Sequence, residues 1–360
     1  MDVKYYTRKK KHNNYNNHNK TKKLSSYSPT INKELVTLAT IEREEIRSCN
    51  LQRAYQLKEP LKIAIPYKNG TTQCIEYYKP EAERFLLKNL KANKHVDPKR
   101  IVPPMQSHGN CWFNAMFVTF FISDKGRKFF HFLRQLMIKG IQKNKAPMPS
   151  NLRNAFALLN FGIDSCLQGN DFAYELDTNS IIYDLFEKIP NEFKERFPAI
   201  VDVDIAGNPL LYYIAIIEYL RNNSIQMLFL RGANNYWREK ITESINISRL
   251  PHFIVLEFFE EEAIKCNKKP LSFKINDVKY EIDSAVIRDL NKSHICSTIT
   301  CECEEMGYDG MSFHRLVPFK WKHKINKDIM WEFEGSKHLN GKPMQWNFMK
   351  SYQLLIYYRV

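Results

Sequence analysis

Three side chains far apart in the chain, Cys111, His294 and Asp309, have the types from which a thiol nucleophile is built. A cysteine attacks as its thiolate. It needs an imidazole to take and return a proton, and donors for the oxyanion it creates. Cys111 follows Gly109-Asn110 and opens the apolar run "CWFNAMFVTFF". If that run is a helix, Cys111 stands at its N-terminus, where unpaired N–H groups and the positive end of the dipole favour a thiolate. Gly109 lets the chain turn sharply just before it. His294 begins "HICSTITC", an alternating stretch that reads as a strand, and a histidine at a strand start can face a cleft. Asp309 lies in "GYDGMSF", where Asp-Gly is also an ordinary turn signal. Taken singly, each has a plain alternative: a core cysteine, a structural histidine, a turn aspartate.

The elements that must bring them together are legible in outline. "NKELVTLATIEREEIRSCNLQRAYQL", residues 32–57, has apolar residues at three and four spacing and predicts a helix. "LKIAIPY" and "TTQCIEYY" predict two strands paired across the turn "KNG", and "KPEAERFLLKNLKANK" a helix opened by proline. From Cys111 to residue 142 one or two buried helices are expected. "NLRNAFALLNFGI" and "NDFAYELDTNSIIYDLFEKI" read as amphipathic helices, and "PLLYYIAIIEYL" as a helix or a strand. Beyond residue 225 the texture is β-branched and aromatic. Strands are expected in "SIQMLFLR", "HFIVLEFF", "PLSFKIN", "VKYEIDSAVIRDL", "HICSTITCE" and "SYQLLIYYRV". The fold class is therefore α+β, a helical half carrying the cysteine and an antiparallel sheet half carrying the histidine. The divisions are a basic tail over 1–30, expected to be disordered, an N-terminal extension over 31–100 and a core domain over 101–360, which the resemblance described next identifies as catalytic.

Several segments in this order resemble the ubiquitin-specific proteases, papain-like cysteine peptidases that remove ubiquitin. "GNCWFNAMFVTFF" is similar to the family's cysteine box through Cys111, Trp112 and Asn114. "NDFAYELDTNSIIYDLF" resembles its Asp-Ala-x-Glu-Phe helix through Asp171, Ala173 and Glu175. "LPHFIVLEFF" is similar to its Leu-Pro strand, and "YEIDSAVIRD" to the next through Tyr280, Ala285, Val286 and Ile287. "SHICSTITCECEEMGYDG" resembles the histidine box, and "SYQLLIYYRV" the terminal strand.

The resemblance implies roles. Cys111 would attack the carbonyl at a ubiquitin or ubiquitin-like C-terminus, His294 would shuttle the proton, and Asp309 would orient His294. Gln106, five residues before Cys111, stands where the family has an oxyanion-hole Asn. The partners implied are ubiquitin or ubiquitin-like conjugates, with no cofactor; a zinc finger is common in the family, but the segment that would host it, about 185–250, contains no cysteine, so no metal is expected. The departures are Gly-Asn-Cys without the family's Thr, and Ser293 and Ile295 around the histidine. Glu334 in "WEFEGS" is a second candidate for orienting His294, while His314, His323 and His338 are expected at the surface or in the core. Gly-Asn-Cys also resembles the OTU deubiquitinases, which carry Asp where His108 stands; Asn114 and the long interval from Cys111 to His294 favour the first family.

Bulk composition bounds the rest. With 360 residues, 44% hydrophobic and 13% aromatic, the chain can bury a sizeable core. About half of the net charge of +15 sits in residues 1–30, where eight Lys and Arg face Asp2 alone. A nucleic-acid contact is therefore expected of that tail rather than of the folded part. No apolar run approaches the roughly 20 residues of a membrane helix, so no membrane partner is expected. The eight cysteines are scattered and expected to be mostly reduced, in a cytoplasmic or nuclear setting. Cys296, Cys301 and Cys303 lie along one strand, too tight for a zinc site. The Asn, Lys, Ile and Tyr bias suits an AT-rich genome, and divergent members of this type occur in large DNA viruses, so a viral source acting inside a host cell is expected. The rival readings are a catalytically inactive peptidase-like domain that binds ubiquitin or another protein, and a structural protein whose basic tail binds nucleic acid.

Overall fold

The structure is a computed structural model that describes residues 44–50, 60–142, 145–221, 225–245, 250–266 and 268–360. The basic tail and most of the helix expected over 32–57 lie outside these residues. The part of that stretch that is described, 44–50, is not helical: Ser48 bridges to Ile63. Asn and Gln side chains hold it in place of a helix's own bonds. Gln168 Oε1 accepts from Ile46 N–H at 2.8 Å, and Asn170 Nδ2 donates to the Ile46 carbonyl at 2.9 Å. Cys49 and Cys74 are joined in a disulfide, so the expectation of mostly reduced cysteines needs correcting for this pair; the other six are free.

The elements run as follows. The hairpin β1 (Lys62–Pro66) and β2 (Thr72–Glu76) is antiparallel, as expected, and precedes α1 (Pro80–Ala92) with Pro80 in its first turn. Then come α2 (Cys111–Phe117), continued by one π-helical turn over Val118–Ile122, α3 (Asp124–Phe129) and α4 (His131–Lys139). The one or two helices expected here are thus three. Ser123 stops the run: its backbone turns extended and its hydroxyl accepts from Gly126 N–H, capping α3. The helical half continues with α5 (Arg153–Gln168), α6 (Asp171–Glu175), α7 (Asn179–Lys188), α8 (Asn191–Arg196) and α9 (Pro209–Tyr219). The ambiguous "PLLYYIAIIEYL" is the helix α9, capped by Asn208, whose Oδ1 accepts from Leu210 and Leu211 N–H.

The sheet half holds β3 (Met227–Leu230), α10 (Trp237–Ser244), β4 (Phe253–Phe258), α11 (Glu260–Lys265), β5 (Ser272–Ile275), β6 (Val278–Arg288), β7 (Ile295–Cys301), β8 (Glu304–Tyr308), β9 (Leu316–Pro318) and β10 (Gln353–Arg359). Its order is β3-β4-β10-β6-β7-β8-β9, with β5 on β6. The β3–β4 pair is parallel and the other pairs antiparallel. The fold is a mixed α/β arrangement of helices and a mostly antiparallel sheet.

The terminal strand is central. Leu355 pairs with Leu256 of β4 on one side and Ala285 of β6 on the other. Its alternation serves two cores. Leu354, Ile356 and Tyr358 pack with the helices, while Leu355 and Tyr357 pack on the opposite face. That second face is covered by Trp321, Ile325, Trp331, Phe333, Trp346 and Phe348, from a stretch with little regular structure. Both faces being buried explains why these strands read as nearly continuous apolar runs. Residues 61–90 share a third core with Ile138, Ala157 and Phe161 of the helical half. Between residues 185 and 250 the described residues add helices and one strand of the main sheet.

Candidate active site

Cys111 is the first residue of α2, and the first intrahelical bond runs from Asn114 N–H to the Asn110 carbonyl at 3.0 Å. The N–H groups ahead of Asn114 therefore have no intrahelical acceptor, and they cluster beside the half-buried thiol. The turn before it is tight. His108 has φ 57°, in the left-handed region, and a side chain at Gly109 would meet the Val203 carbonyl at 2.9 Å.

A polar clamp fixes this loop to the helical half. Asn110 Nδ2 donates to Thr178 Oγ1 at 3.0 Å, and that hydroxyl donates to Asn114 Oδ1 at 2.6 Å. Asn114 Nδ2 donates to the Met105 carbonyl at 3.2 Å, and Asn179 Nδ2 to Ser107 Oγ at 2.8 Å. Asn110, Asn114 and Thr178 are all buried, so each bond replaces one lost to water. The residues that follow α6 thus hold the cysteine loop, whereas Glu175 itself is exposed.

Three bonds stitch the same loop to the sheet half. Arg315 Nη1 donates to the Pro103 carbonyl at 2.8 Å and Tyr308 Oη to the Pro104 carbonyl at 2.8 Å. Gln106 N–H donates to the Gly310 carbonyl at 2.9 Å. Gly310 is required by this approach, since a Cβ there would lie 2.9 Å from Gln106 N and from the Tyr308 hydroxyl. The Asp309-Gly310 turn is therefore part of the contact between the halves.

His294 sits just before β7, 2% exposed, with Asp309 at 0% beyond the end of β8. His294 Nε2 and Asp309 Oδ1 are 2.6 Å apart, so Nε2–H donates to the carboxylate. Nδ1 has no hydrogen-bond partner, and the Cys111 thiol is near enough to act on the ring. Burial opposes an imidazolium here, but the bond to Asp309 and the Cys111 thiol outweigh it, raising the His294 pKa to about 10. The sequence-predicted Cys111, His294 and Asp309 are thus brought together, the first from the helical half and the others from the sheet half.

Gln106 is beside them but turned away. Its Nε2 donates to the His108 carbonyl at 3.2 Å, and its buried Oε1 has no partner. Donation to an oxyanion requires that amide to leave His108. Glu334 does not reach the histidine: its side chain is exposed and its carbonyl accepts from Phe313 N–H. Asp309 holds the position that Glu334 was considered for. His314 and His323 are exposed. His338 is half-buried against the turn before His294, with Nδ1 3.3 Å from Ser293 Oγ.

Four neighbours were not legible beforehand. Asp289 Oδ1 accepts from Ser293 and His294 N–H, both at 2.6 Å, and shapes the turn that presents His294. The run "DLNKSH" carries a turn signal that fits this. Thr178 lies between α6 and α7, without a signal of its own. Trp346 places its ring 6.0 Å from the His294 ring at 65°, and Ser336 Oγ donates to Asp309 Oδ2. Both come from the irregular 321–348 stretch, where no periodicity points to them. Among the described residues no group of three or more His, Cys, Asp or Glu side chains is arranged to hold a metal, and no helix is long and apolar enough to cross a membrane.

No family model and no curated protein matches the chain. Among solved structures it is similar to the SAGA Ubp8/Sgf11/Sus1/Sgf73 DUB module bound to ubiquitin aldehyde, at 9% identity and TM-score 0.43 over 72% of this chain and 70% of that one. The same module with a C146A substitution, bound to monoubiquitin, gives 9% identity and TM-score 0.39 over 72% and 69%. An essential yeast splicing factor gives 12% identity and TM-score 0.36 over 83% of each chain. Likeness at this level says nothing of what this chain does; its own residues must carry that.

Proposed function

We propose that the protein is a cysteine peptidase of papain-like arrangement that hydrolyses the (iso)peptide bond after a ubiquitin or ubiquitin-like C-terminus. The observation that carries the reaction class is the buried His294–Asp309 bond, with Nδ1 free of other partners and the Cys111 thiol, at the start of a helix, near enough to act on the ring. The substrate class rests on the ordered resemblance of the sequence segments.

In this reading Nδ1 takes the thiol proton, and the sulfur attacks the scissile carbonyl. The leaving amine receives that proton from Nδ1, and a thioester to Cys111 forms. Water, deprotonated by Nδ1, then releases the acid and returns the thiol. Asp309 keeps Nδ1 aimed at the sulfur and stabilises the imidazolium between steps. The α2 N-terminal N–H groups face the oxyanion, with the Gln106 amide joining once it leaves the His108 carbonyl. A viral origin, action within the cytoplasm or nucleus of a host cell and a nucleic-acid contact through residues 1–30 belong to the same proposal.

The test is turnover of fluorogenic amides at the C-termini of ubiquitin and its relatives. Wild-type protein should release the fluorophore from at least one of them, and Cys111→Ala should not. Release that survives Cys111→Ala, or binding without release by a folded protein, contradicts the reading.

A further inference from the structure

We propose that Ser336 is a positioning residue of this site, acting through Asp309 on His294. The inference rests on the cysteine-peptidase reading and goes beyond it, because Ser336 belongs to the irregular stretch that the sequence could not place.

Asp309 is fully buried, so its two oxygens must be satisfied within the protein. Oδ1 accepts from His294 Nε2–H at 2.6 Å and from Met311 N–H at 3.0 Å. Oδ2 takes the Ser336 hydroxyl. Ser336 is itself 1% exposed and tightly placed. Its N–H donates to the Phe333 carbonyl at 3.1 Å, and its carbonyl accepts from Met344 N–H at 3.1 Å. Gly335 before it has φ 90° and lies against the Phe313 ring, leaving no room for a side chain. The hydroxyl is therefore aimed by its backbone. It holds the carboxylate plane in the one rotation that meets His294 Nε2. Trp346, from the same stretch, packs its ring edge-on to the imidazole, 6.0 Å between centroids.

Without the hydroxyl, Oδ2 is a bare oxygen in a buried site. The carboxylate then rotates or takes up water, and its bond to Nε2 loosens. His294 loses part of what stabilises its imidazolium. The other titratable and charged groups around the pair are unchanged. These are Cys111 on α2, Asp289 in the β6–β7 turn, Cys296 on β7 and Tyr308 on β8.

The experiment uses Ser336→Ala together with Ser336→Thr and Ser336→Val, a pair matched in shape that differs by the hydroxyl. Two readouts are taken on the full chain: the alkylation rate of Cys111 by iodoacetamide across pH, and the His294 titration by NMR. Thermal melting confirms that each variant is folded. Loss of the hydroxyl in Ala and Val should slow alkylation near neutral pH by about tenfold. It should also lower the His294 midpoint, with Thr close to wild type. Thr and Val behaving alike in both readouts overturns the role of Ser336. A wild-type Cys111 no more reactive than a free thiol overturns the nucleophile reading instead, while the His294 titration still decides Ser336.

Discussion

His294 carries the pH behaviour of the site. Its folded pKa is raised to about 10 from an ordinary value of 6.5. The stabilisation this brings is complete below 6.5 and is lost as pH rises through about 10. Turnover should fall over the same alkaline range, because a deprotonated ring cannot protonate the leaving amine. Asp309→Asn removes the charge that opposes burial, so its alkaline limb should lie at lower pH; a pH–rate profile of both proteins checks this. An unmoved limb separates Asp309 from the titration. Thr178 is the other informative residue, since its hydroxyl bridges Asn110 and Asn114. Thr178→Val leaves two buried amides short of a partner and should cost about 1–3 kcal/mol, read from urea unfolding. It should also reduce Cys111 alkylation, because the loop that carries the thiol loses its clamp.

Among the elements, β10 bears most on stability. It lies between β4 and β6, and Leu355 is fully buried on the face covered by the irregular layer. Leu355→Ala should destabilise by about 2–5 kcal/mol in equilibrium unfolding. A value under about 1 kcal/mol contradicts the central placement of the strand. Most strands were readable because each combines β-branched and aromatic residues with turn signals at both ends; the short β8 and β9 lack that pattern and were not among those expected. The cysteine was readable because it opens the apolar helix α2, and the histidine because it immediately precedes the strand β7. The break after the π-helical turn was marked only by Ser123, whose capping role needs the following backbone geometry to be seen. The layer over 321–348 was not readable. Trp321, Trp331, Phe333, Trp346 and Phe348 reach one face at irregular spacing, and their common burial depends on the sheet beneath them. For the same reason Ser336 gave no sign of lying beside Asp309, nor Trp346 of lying beside His294.

In the whole molecule, the site lies where two halves with separate sequence textures meet, and the bonds from Pro103, Pro104 and Gln106 across to Arg315, Tyr308 and Gly310 fix their separation. The N-terminal hairpin is held by other means. The Cys49–Cys74 disulfide spans 25 residues and ties the 44–50 segment to β2. Its closure of that loop should contribute about 3–4 kcal/mol by restricting the unfolded chain. Cys49→Ser should lower the melting temperature under oxidising conditions, and a reductant should lower that of the wild type to match. If neither changes the melt, the disulfide contributes nothing to the fold. This pairing was invisible beforehand, because it depends on where β2 brings Cys74 and not on the spacing of the cysteines.

Under the proposed function, Cys111 is a nucleophile directed at a ubiquitin-family C-terminus. The most direct measurement of this is a mass spectrum of the full chain after exposure to a panel of ubiquitin-family proteins, each bearing a thiol-reactive electrophile at its C-terminus. An adduct is expected with at least one modifier, located on Cys111 and absent from Cys111→Ala. A folded protein that forms no adduct with any of them, or forms one at another cysteine, contradicts that role.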